Sequence, residues 1–414
     1  MKFQKLILAG SVASALAACG GSGGGSSDTA GSSFTSGAIT AFGSVYVNGT
    51  RYDTSNAAVY VEDSEASESE LRVGMMVCVE KNADGSAKAI YFDDDVEGIV
   101  IGGATVNVDG SVTLNVLGQM VTVDNNTIFE SNVAGITTAA GIQDGNIVEV
   151  SGSASGTGSI IATRIEVKAA DFAEYKLLHP EGVELKGIVA GQDTVVQSFM
   201  IGSQQISYAG AQFDDMPGGD WTGLYVEVKS SAGLSGVVLL ASKVEPEDGG
   251  EKGEYNEDDE VEVKGTISEL TATSITVDGQ TFLLDGNTEY ELEGMTLAVN
   301  VLVEVEGHVN ANGALVAREV GIEDHDEASE MEFQGAVSAL VSTDINVGTF
   351  IVNSNTVIVN NRTIMHDDRE AAGVPIMTHF NLSQLRDGDH VKVHVVDNRD
   401  GSYTAIKLEL VDFP

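Results

Sequence analysis

Hydrophobic and polar residues alternate in short runs along most of the chain. The runs MMVCVE (75–80), VLVEVEGHV (301–309) and DHVKVHVVD (389–397) place apolar side chains at nearly every second position. A period of two is typical of β-strands that bury one face. Valine, isoleucine and threonine are frequent in these runs, and the chain has 48 glycines but only 5 prolines. The pattern therefore predicts an all-β protein with many short strands and tight turns.

The runs belong to a repeated unit that closes with a hairpin. In the first copy, a Leu-x-x-Gly turn at 71–74 precedes one strand, and Asn-x-Asp-Gly at 82–85 leads into the next. Related turns recur in the fourth and fifth copies, at 297–300, 310–313, 385–388 and 398–401. Asn, Asp and Gly accept positive φ angles, so these turns predict β-hairpins. The second and third copies keep the strands, in GNIVEV (145–150) and GLYVEV (223–228), with looser turns.

Each unit also begins alike, with a glycine in a strand and a second glycine at a hairpin turn. The opening glycines are Gly37, Gly98, Gly187, Gly265 and Gly335, and the turn glycines are Gly49, Gly118, Gly202, Gly279 and Gly348. Three strands, a variable connector in which a helical turn fits, and a closing hairpin form the element order of a five-stranded OB-like barrel. We therefore expect a tandem array of about five small five-stranded OB-like barrels.

Shifts in composition indicate the boundaries of these units. The predicted domains are barrel 1 at 37–96, barrel 2 at 97–168, barrel 3 at 183–246, barrel 4 at 261–322 and barrel 5 at 332–414. Segments 247–260 and 323–331 are acidic and poor in apolar residues, so we expect solvated linkers there. Segment 169–182 is expected to be a linker that contains one docked helical turn.

The N-terminal segment has the features of a secretory signal. Residues 1–18 combine Lys2 and Lys5 with an apolar stretch that is too short to span a bilayer as a helix. The sequence Leu-Ala-Ala-Cys at 16–19 resembles the lipobox of bacterial lipoproteins, which implies cleavage before Cys19 and lipid attachment to its thiol. Residues 19–36 would then be the lipidated cysteine and a flexible Gly/Ser tether. In such lipoproteins, an aspartate directly after the lipidated cysteine commonly retains the protein in the inner membrane. This chain has Gly20 at that position, which implies an outer-membrane location.

The net charge restricts the partners of the folded part. The formal charge is −42, and the loss of Lys2 and Lys5 with the signal peptide would bring it to −44. Such a surface repels phosphate backbones and anionic headgroups, so we exclude nucleic acid as a partner. Of the 2 cysteines, Cys78 lies in a predicted strand and is expected to be a small buried residue, with no internal disulfide if Cys19 is acylated.

The first unit also resembles a known family. GAITAFGSVYVNGTRYDTS (37–55), followed by LRVGMMVCVE (71–80), is similar to the hallmark of a proteobacterial lipoprotein family classified only as a domain of unknown function. In that family, small OB-like barrels repeat in tandem behind a lipobox. The resemblance implies architecture and location, and it supplies no catalytic residues.

Several side chains were weighed as metal ligands or catalytic groups. His390 and His394 share one face of a predicted strand, but about 13 Å of extended chain separates them, so they cannot share an ion. His366, Asp367 and Asp368 with His379 are a possible metal site in the connector of barrel 5. The acidic runs Asp93–Asp95 and Glu257–Glu260 offer oxygen ligands for calcium without the spacing of an EF-hand loop. We assign no catalytic residue, cofactor or specific metal site.

The sequence leaves three classes of function. The first is a membrane-anchored, non-enzymatic structural or interaction array, with an envelope protein or polysaccharide as its partner. The second is an oligosaccharide-binding module or a low-affinity divalent-cation-binding surface protein. Sugar sites favour aromatic platforms, whereas 6% of this chain is aromatic and Trp221 is the single tryptophan. The third is an enzyme, for which no nucleophile and base are paired in sequence.

Overall fold

The computed structural model describes residues 33–412, apart from short gaps and two longer ones at 247–258 and 323–330. The short gaps are 48–49, 63, 109, 125, 155–157, 278–279, 293–295, 299–300, 311–313, 361–362, 368, 370–377 and 399–400. The described part is almost entirely β-structure, which confirms the predicted all-β class. None of its helices is both long and apolar enough to cross a membrane.

Repeats 1 and 2 follow one another directly. Repeat 1 comprises β1 (Ser33–Phe42), β2 (Val45–Val47), β3 (Thr50–Tyr52), β4 (Ala58–Val61), β5 (Ser64–Ala66), a 3₁₀ turn (Glu68–Glu70), β6 (Met76–Lys81) and β7 (Ala87–Phe92). Repeat 2 comprises β8 (Val96–Ile99), β9 (Thr105–Val106), β10 (Val112–Val116), β11 (Gln119–Val123), β12 (Ile128–Ser131), a 3₁₀ turn (Ala139–Gly141), β13 (Ile147–Ala154) and β14 (Ser159–Ala169).

One short helix separates repeat 2 from repeat 3. This helix, α1 (Phe172–Tyr175), supplies the helical turn expected between 169 and 182, and the Asp171 side chain caps it by accepting from the Glu174 amide. Repeat 3 comprises β15 (Val183–Asp193), β16 (Ser198–Ile201), β17 (Gln204–Ser207), β18 (Gln212–Phe213), β19 (Tyr225–Ser230), β20 (Leu234–Ser235), β21 (Val238–Leu240) and β22 (Lys243–Pro246).

Repeats 4 and 5 form the C-terminal part. Repeat 4 comprises β23 (Glu260–Leu270), β24 (Ser274–Val277), β25 (Gln280–Leu283), β26 (Glu289–Glu291), β27 (Leu302–Val309) and β28 (Leu315–Ile322). Repeat 5 comprises β29 (Met331–Ala336), β30 (Ser338–Ser342), β31 (Gly348–Val352), β32 (Asn355–Val359), β33 (Ile364–Asp367), β34 (Thr378–His379), a 3₁₀ turn (Leu382–Gln384), β35 (His390–Asp397) and β36 (Ser402–Leu410).

The repeats share a barrel topology in which the strand order is 1-2-3-5-4 and back to 1. In repeat 4, β23, β24 and β25 form a meander, β25 pairs in parallel with β28, β28 pairs with β27, and β27 returns to β23. Repeat 2 closes through a bridge between Val100 and Val116. In repeat 3 the fifth strand is divided into β21 and β22. This topology confirms the predicted OB-like array.

The connector in each repeat differs from the sequence expectation because it adds a short strand. β4, β12, β18, β26 and β33 each pair in parallel with the fifth strand of their repeat. The fifth strand continues past the end of the third strand, so its free edge is available for the connector. Each barrel is therefore five-stranded with at least one additional short strand, which lies in its connector.

A hydrogen bond from a buried threonine fixes this connector in three repeats. The Thr127 hydroxyl donates to the Ala162 carbonyl at 2.8 Å, and the Thr288 hydroxyl donates to the Ala317 carbonyl at 3.0 Å. Thr363 makes the same bond in repeat 5, at 2.8 Å. In each case the threonine follows Asp-x-x or Asn-x-x, and it joins the end of strand 3 to strand 5.

The turn glycine assigned to repeat 5 is wrong. Gly348 lies in strand β31, opposite Val359, and does not form the turn between strands 2 and 3. Asn353 and Ser354 form that turn, with φ angles of 49° and 68°. Asparagine accepts positive φ, so the turn needs no glycine. By contrast, Gly118 and Gly202 lie in the corresponding turns of repeats 2 and 3, with φ angles of 78° and 54°.

Hydrophobic cores show which repeats form a unit. Repeats 1, 4 and 5 each have a core of their own, centred on residues such as Ile39, Phe282 and Phe350. Repeats 2 and 3 share one continuous core, which also includes Tyr175 of α1. Segment 169–182 is therefore attached to this shared core through Tyr175, while Leu177 and Leu178 are exposed to solvent.

The array is not a linear string of barrels, because repeat 1 contacts repeats 2, 3, 4 and 5. Residues 33–36 of β1 pair in parallel with 260–263 of β23, which joins repeat 1 to repeat 4. Ala41 and Tyr46 pack against Val396 and Ile406 of repeat 5. β1 begins at Ser33, inside the segment predicted as tether, because its first four residues pair with β6 of the same repeat and with β23 of repeat 4.

Repeat 1 also docks on repeat 2 through its Leu-x-x-Gly turn. Thr163 donates from its hydroxyl to the Gly74 carbonyl at 2.6 Å, and the Met76 amide donates to the Ser151 hydroxyl at 2.8 Å. Gly74 has a φ angle of 88°, and a Cβ atom there would lie 2.8 Å from the Thr163 carbonyl oxygen. The glycine of this turn therefore serves both the turn and the contact between barrels.

Candidate functional site

A buried ionic network lies where repeats 1, 2 and 3 meet, and we call it the Lys186 network. Its members in the described part are the lysines Lys168, Lys186 and Lys229 and the carboxyl groups of Glu62, Asp93, Asp94, Asp95, Glu97, Glu149, Glu184 and Glu227. Strand pairing assembles it: β8 pairs with β15 so that Glu97 lies opposite Glu184. Asp93–Asp95 form the connection between β7 of repeat 1 and β8 of repeat 2.

Lys186 is the centre of this network. Its side chain is 5% exposed, and Nζ lies 2.9 Å from Glu184 Oε1 and 3.9 Å from Glu62 Oε2. It also forms an ion pair with Asp93 and donates to the Asp94 carbonyl at 3.2 Å. One ammonium group from repeat 3 therefore binds carboxylates of repeat 1, of repeat 3 and of the connection between repeats 1 and 2.

Two further lysines extend the network across the shared sheet of repeats 2 and 3. Lys229 Nζ lies 3.0 Å from both Glu184 Oε2 and Glu227 Oε1. Lys168 Nζ lies 2.5 Å from Glu149 Oε2 and 3.8 Å from Glu97 Oε1. Each lysine is thus shared between carboxylates, as buried ion pairs require for their desolvation to be compensated.

The carboxyl groups outnumber the lysines, and burial raises the pKa of several of these carboxyl groups. Burial raises the pKa of Asp95 to about 7, against a hydrogen bond from the Gly152 amide. Burial also raises the pKa of Glu97 to about 7, although Lys168 opposes the shift. Burial and the neighbouring Glu184 charge raise the pKa of Glu227 to about 11. Several carboxyl groups of the network are therefore protonated near neutral pH.

Glu184 takes the opposite direction. Burial disfavours its charged form, but Lys186 and Lys229 outweigh burial, so the pKa of Glu184 lies well below its ordinary value. Asp94 behaves differently because burial and the Glu184 charge raise its pKa well above the ordinary range. The Asp94 side chain is buried, and its Oδ1 atom has no hydrogen-bond partner in the described part of the chain.

This network contains the group of described residues with the geometry closest to a cation site. Carboxylate oxygens of Glu62, Asp93 and Glu184 lie within 4.8 Å of one another. Oxygen ligands at such spacing suit calcium. Lys186 Nζ already contacts all three carboxylates, so a tethered ammonium group takes the place of a cation. The donor set therefore fits an internal ion-pair network better than a divalent ion.

The structure brings all three residues of the predicted acidic run Asp93–Asp95 to this network, but it separates the second acidic run from it. In Glu257–Glu260, residues 257–258 lie outside the described part. Asp259 is buried, and Glu260 is exposed with Arg318 Nη1 at 3.1 Å from its Oε1 atom. Glu260 therefore belongs to a surface ion pair in repeat 4.

The histidine candidates lie in strands of repeat 5. His390 and His394 are in strand β35, as expected, and His394 is buried with Nε2 3.2 Å from Glu409 Oε2. Backbone pairing places His366 of β33 directly opposite His379 of β34. The side chains of these two histidines and the whole of Asp368 lie outside the described part. Asp367 forms an ion pair with Arg369 at 2.6 Å.

The remaining candidates are Cys19, Cys78 and Trp221. Cys19 lies outside the described residues. Cys78 is completely buried in β6, as expected, but it is disulfide-bonded and is not a free thiol. Trp221 is 7% exposed, and its indole N–H donates to the Pro217 carbonyl at 2.8 Å, so it belongs to the core of repeats 2 and 3.

Sequence reasoning did not single out Lys186, Glu184, Lys229 or Glu227. Their charges alternate with apolar residues in VELKG (183–187) and YVEVK (225–229), which is the usual pattern of a solvated strand face. One regularity marks Glu184 and Lys186: repeats 3 and 4 both have the sequence Val-Glu-x-Lys directly before the opening glycine. A buried charged pair at the same position of two repeats indicates a common role in joining barrels.

Fold and junctions together define an array of tandem OB-like β domains. Residues 36–91, 97–166, 248–321 and 334–409 match the family described as Domain of unknown function (DUF5666), and the chain belongs to this family. The matched segments correspond to repeats 1, 2, 4 and 5, while repeat 3 lies between them. No curated protein matches the chain.

Two solved structures share a distant likeness. One is a multidomain protein with nucleic acid binding domains from Streptococcus pneumoniae TIGR4, at 12% identity and a TM-score of 0.12. That match covers 35% of this chain and 44% of the other, so this chain spans less than half of that protein. The other is Drosophila Unr CSD456, at 14% identity and a TM-score of 0.14, covering 55% of this chain and 97% of that one. These values carry no inference about ligands.

Proposed function

We propose that this protein is a lipid-anchored component of the bacterial cell envelope whose tandem barrels act as a non-enzymatic structural or interaction scaffold. The observation that carries the proposal is the use of buried charges. In the described part, Lys186 and Arg164 connect repeats to one another. Arg164, which is 2% exposed, donates from Nη1 to the Val73 carbonyl of repeat 1 at 3.2 Å. The use of buried charges for contacts between barrels supports a role in assembly.

A scaffold also fits the way in which the barrels are joined. Strand pairing, a shared core and the Lys186 network hold repeats 1, 2 and 3 together, and β1 adds repeat 4. Independent domains that are joined by flexible linkers need no such contacts. The acidic surface, with a formal charge of −42, disfavours nucleic acid and supports a protein or polysaccharide partner in the envelope.

The anchor in this proposal is Cys19, on the basis of the lipobox-like residues 16–19 and the apolar segment before them. Several acyl chains on one residue suffice for stable membrane attachment. Gly20 favours the outer membrane as the location. The chain has 2 cysteines, so a disulfide of Cys78 within one chain would consume the Cys19 thiol. Lipidation of Cys19 and that disulfide therefore exclude each other, so the proposal applies to the protein with Cys78 reduced.

The test of the anchor is replacement of Cys19 by serine in cells that process lipoproteins. We expect the wild-type protein to incorporate labelled palmitate and to sediment with membranes. Cys19→Ser should remain unlabelled and should be released or kept as a precursor. Cys78→Ser is the matched control, because it removes the thiol of the other cysteine and should leave the palmitate label unchanged.

Mass analysis of the N-terminal peptide separates the alternatives. A diacylglyceryl thioether on Cys19 supports the proposal. A peptide that contains Cys19 linked to Cys78 and carries no lipid would show that the cysteine is structural and would refute the anchor. An unprocessed N-terminus in the wild-type protein would refute it as well.

Oligosaccharide binding is the second candidate, and the position of Trp221 weakens it. Sugar platforms need an exposed aromatic face, whereas Trp221 is buried beside Tyr208 with ring centroids 5.0 Å apart. Phe213, which is 45% exposed at the edge of this cluster, is the group that a sugar would contact. Binding of envelope glycans that is abolished by Phe213→Ala would favour this candidate.

A further inference from the structure

The first strand of a repeat pairs with the first strand of another repeat. The pairing uses one edge of the strand, close to the opening glycine. In repeats 1 and 4, residues 33–36 of β1 pair in parallel with 260–263 of β23. In repeats 2 and 3, Val96 and Glu97 pair antiparallel with Leu185 and Glu184. The same edge of the same strand is therefore used in four of the five repeats.

Repeat 5 has the same segment without such a partner in the described part of the chain. Residues 331–334, Met-Glu-Phe-Gln, precede Gly335, and β29 pairs with β35 on one edge only. β29 is also the terminal strand of its sheet. On its other edge, the Asn353 amide donates to the Gln334 carbonyl at 2.8 Å.

Backbone geometry shows which groups are available on this edge. Successive residues of a strand direct their N–H and C=O groups to opposite edges. Since the Gln334 carbonyl faces Asn353, the N–H and C=O groups of Glu332 face the same outer edge. Glu332 is exposed, whereas Met331 and Phe333 are half-buried against the core of repeat 5. Asn353 occupies this edge at Gln334, whereas at Glu332 no strand covers it in the described part of the chain, and such an edge is a template for a further strand.

The charges on this edge match those of the edges that are already joined. Glu97, Glu184 and Glu262 each lie in a paired segment and each has a lysine within reach: Lys168 at 3.8 Å, Lys186 at 2.9 Å and Lys81 at 2.9 Å, respectively. In repeat 5, Lys392 Nζ lies 3.6 Å from Glu332 Oε2. The Glu–Lys pair that accompanies joined edges is therefore present on the free one.

We propose that the outer edge of β29 pairs with the same edge of a second copy of this chain. Both junctions within the chain join the first strand of one repeat to the first strand of another repeat. Because the number of repeats is odd, the outer edge of one first strand is left without such a partner. The first strand of a second copy supplies the partner. Antiparallel pairing of two identical segments is two-fold symmetric and closes, so it forms a dimer and no filament. This inference is independent of the lipid anchor.

The test uses residues 19–414 carrying Cys19→Ser, studied by sedimentation over a range of concentrations. We expect a reversible monomer–dimer equilibrium. Glu332→Pro removes the outward N–H group, and proline is tolerated at an edge where that group makes no ladder bond. Loss of two symmetric backbone hydrogen bonds should weaken the dimer about tenfold or more. Glu332→Gln keeps the N–H group and is the matched control, with dimerisation retained.

A second variant covers the case in which proline disturbs repeat 5. Glu332→Lys places new positive charges beside Lys392 in both copies, so dimerisation should weaken at low salt and recover as salt screens the repulsion. A monomer at all concentrations up to about 1 mM would overturn the proposal, because a strand-paired dimer should be populated there. A dimer that neither Glu332→Pro nor Glu332→Lys weakens would place the interface elsewhere and would also overturn it.

Discussion

Lys186, on the first strand of repeat 3, forms an ion pair with Asp93, which lies in the connection between repeats 1 and 2. The two residues are 93 positions apart in sequence, and their side chains are 5% and 33% exposed. The pair links the chain segment between two barrels to a third barrel. It shows that the barrels have a defined mutual arrangement, which the repeat pattern alone does not require.

Removal of the Lys186 charge should destabilise the junction strongly. In Lys186→Met the carboxylates of Asp93 and Glu184 lose their shared cation while burial remains, and breaking one partner of a buried pair costs about 3 to 5 kcal/mol. Denaturant unfolding of repeats 1–3 measures the loss. Lys243→Met is the matched control, because Lys243 is 31% exposed and pairs with Glu245 at the surface, so its loss should cost less than about 1 kcal/mol.

If Lys186→Met proved as stable as Lys243→Met, the network would contribute nothing to the junction. The variant should also make the connection between repeats 1 and 2 more accessible to hydrogen exchange, since the Lys186 side chain donates to the Asp94 carbonyl. Unchanged exchange at residues 93–95 would contradict the proposed role.

Stability should fall as the pH rises through the range from about 4 to 7. Asp95 and Glu97 have ordinary pKa values of 3.8 and 4.5 and folded pKa values of about 7, so the folded state binds protons that the unfolded state has released. Unfolding free energy then decreases with pH by about 1.4 kcal/mol per unit for each fully shifted group. Since Asp95 and Glu97 are only half-buried, we expect a smaller total fall, of about 1 to 2 kcal/mol between pH 5 and 7.5.

Other groups titrate in different directions, and a variant separates them. Glu184 loses its ion pairs only in more acidic solution, because its folded pKa lies well below the ordinary value. Burial lowers the pKa of His179, so this residue alone would make stability rise with pH near neutrality. Asp95→Asn should flatten the fall seen in the wild-type protein. An identical pH profile in the two proteins would exclude Asp95 as its source.

Calcium should stabilise the protein no more than sodium at the same ionic strength. Lys186 already forms ion pairs with Glu62, Asp93 and Glu184, and the remaining acidic surface responds to screening, which depends on ionic strength. Thermal unfolding in the two matched salts measures the difference. A specific site would instead raise stability by about 2.7 kcal/mol at a hundredfold excess over its dissociation constant. A saturable rise with calcium that disappears in Asp93→Asn/Asp94→Asn/Asp95→Asn would contradict the expectation.

The buried threonine found in three of the connectors should contribute more to stability than an ordinary strand threonine. Thr288→Val keeps the shape but removes the donor to the Ala317 carbonyl and the acceptor of the Asp285 amide. Leaving buried backbone groups unsatisfied costs about 1 to 3 kcal/mol. Thr349→Val, at a half-buried position of β31, is the control and should change stability by less than about 0.5 kcal/mol. Equal effects would show that the hydrogen bond is not the important feature.

Local patterns predicted the strands but not their partners in other repeats. Gly98 and Gly335 were identified as openings, and the structure explains them: a Cβ atom there would lie 2.7 Å from Leu117 Cδ1 or Asn353 Oδ1. Glycine counting failed at Gly348 because asparagine can form the same turn. The pairing of β1 with β23 joins residues more than 200 positions apart, and nothing in either segment specifies the other.

The same limit applies to the candidate site. The acidic run Asp93–Asp95 was visible in the sequence, whereas its cation, Lys186, comes from a different repeat. Whether an acidic run binds an ion or an internal lysine depends on tertiary contacts, and these become evident only when the barrels are assembled. The recurring Val-Glu-x-Lys before Gly187 and Gly265 was the sequence feature that would have indicated a junction.

Repeat 4 should fold alone, but with less stability than in the full chain. Residues 261–322 contain a complete core around Phe282 and a closed strand order, so the isolated fragment should give a dispersed amide spectrum. It loses the pairing of β23 with β1 and the ion pair between Glu262 and Lys81 at 2.9 Å. Exchange of the amides at 262–263 should therefore be faster in the fragment than in the full chain.

Limited proteolysis of the full chain tests the same arrangement from outside. Cleavage should occur first within 247–260, where acidic residues are dense and apolar residues are rare. After that cut, repeats 1–3 and repeats 4–5 should remain associated through β1–β23 and through the Tyr46–Ile406 contact. Lys81→Ala should weaken this association without affecting cleavage. Separation of the wild-type fragments immediately after the cut would show that strand pairing between repeats 1 and 4 does not hold them together.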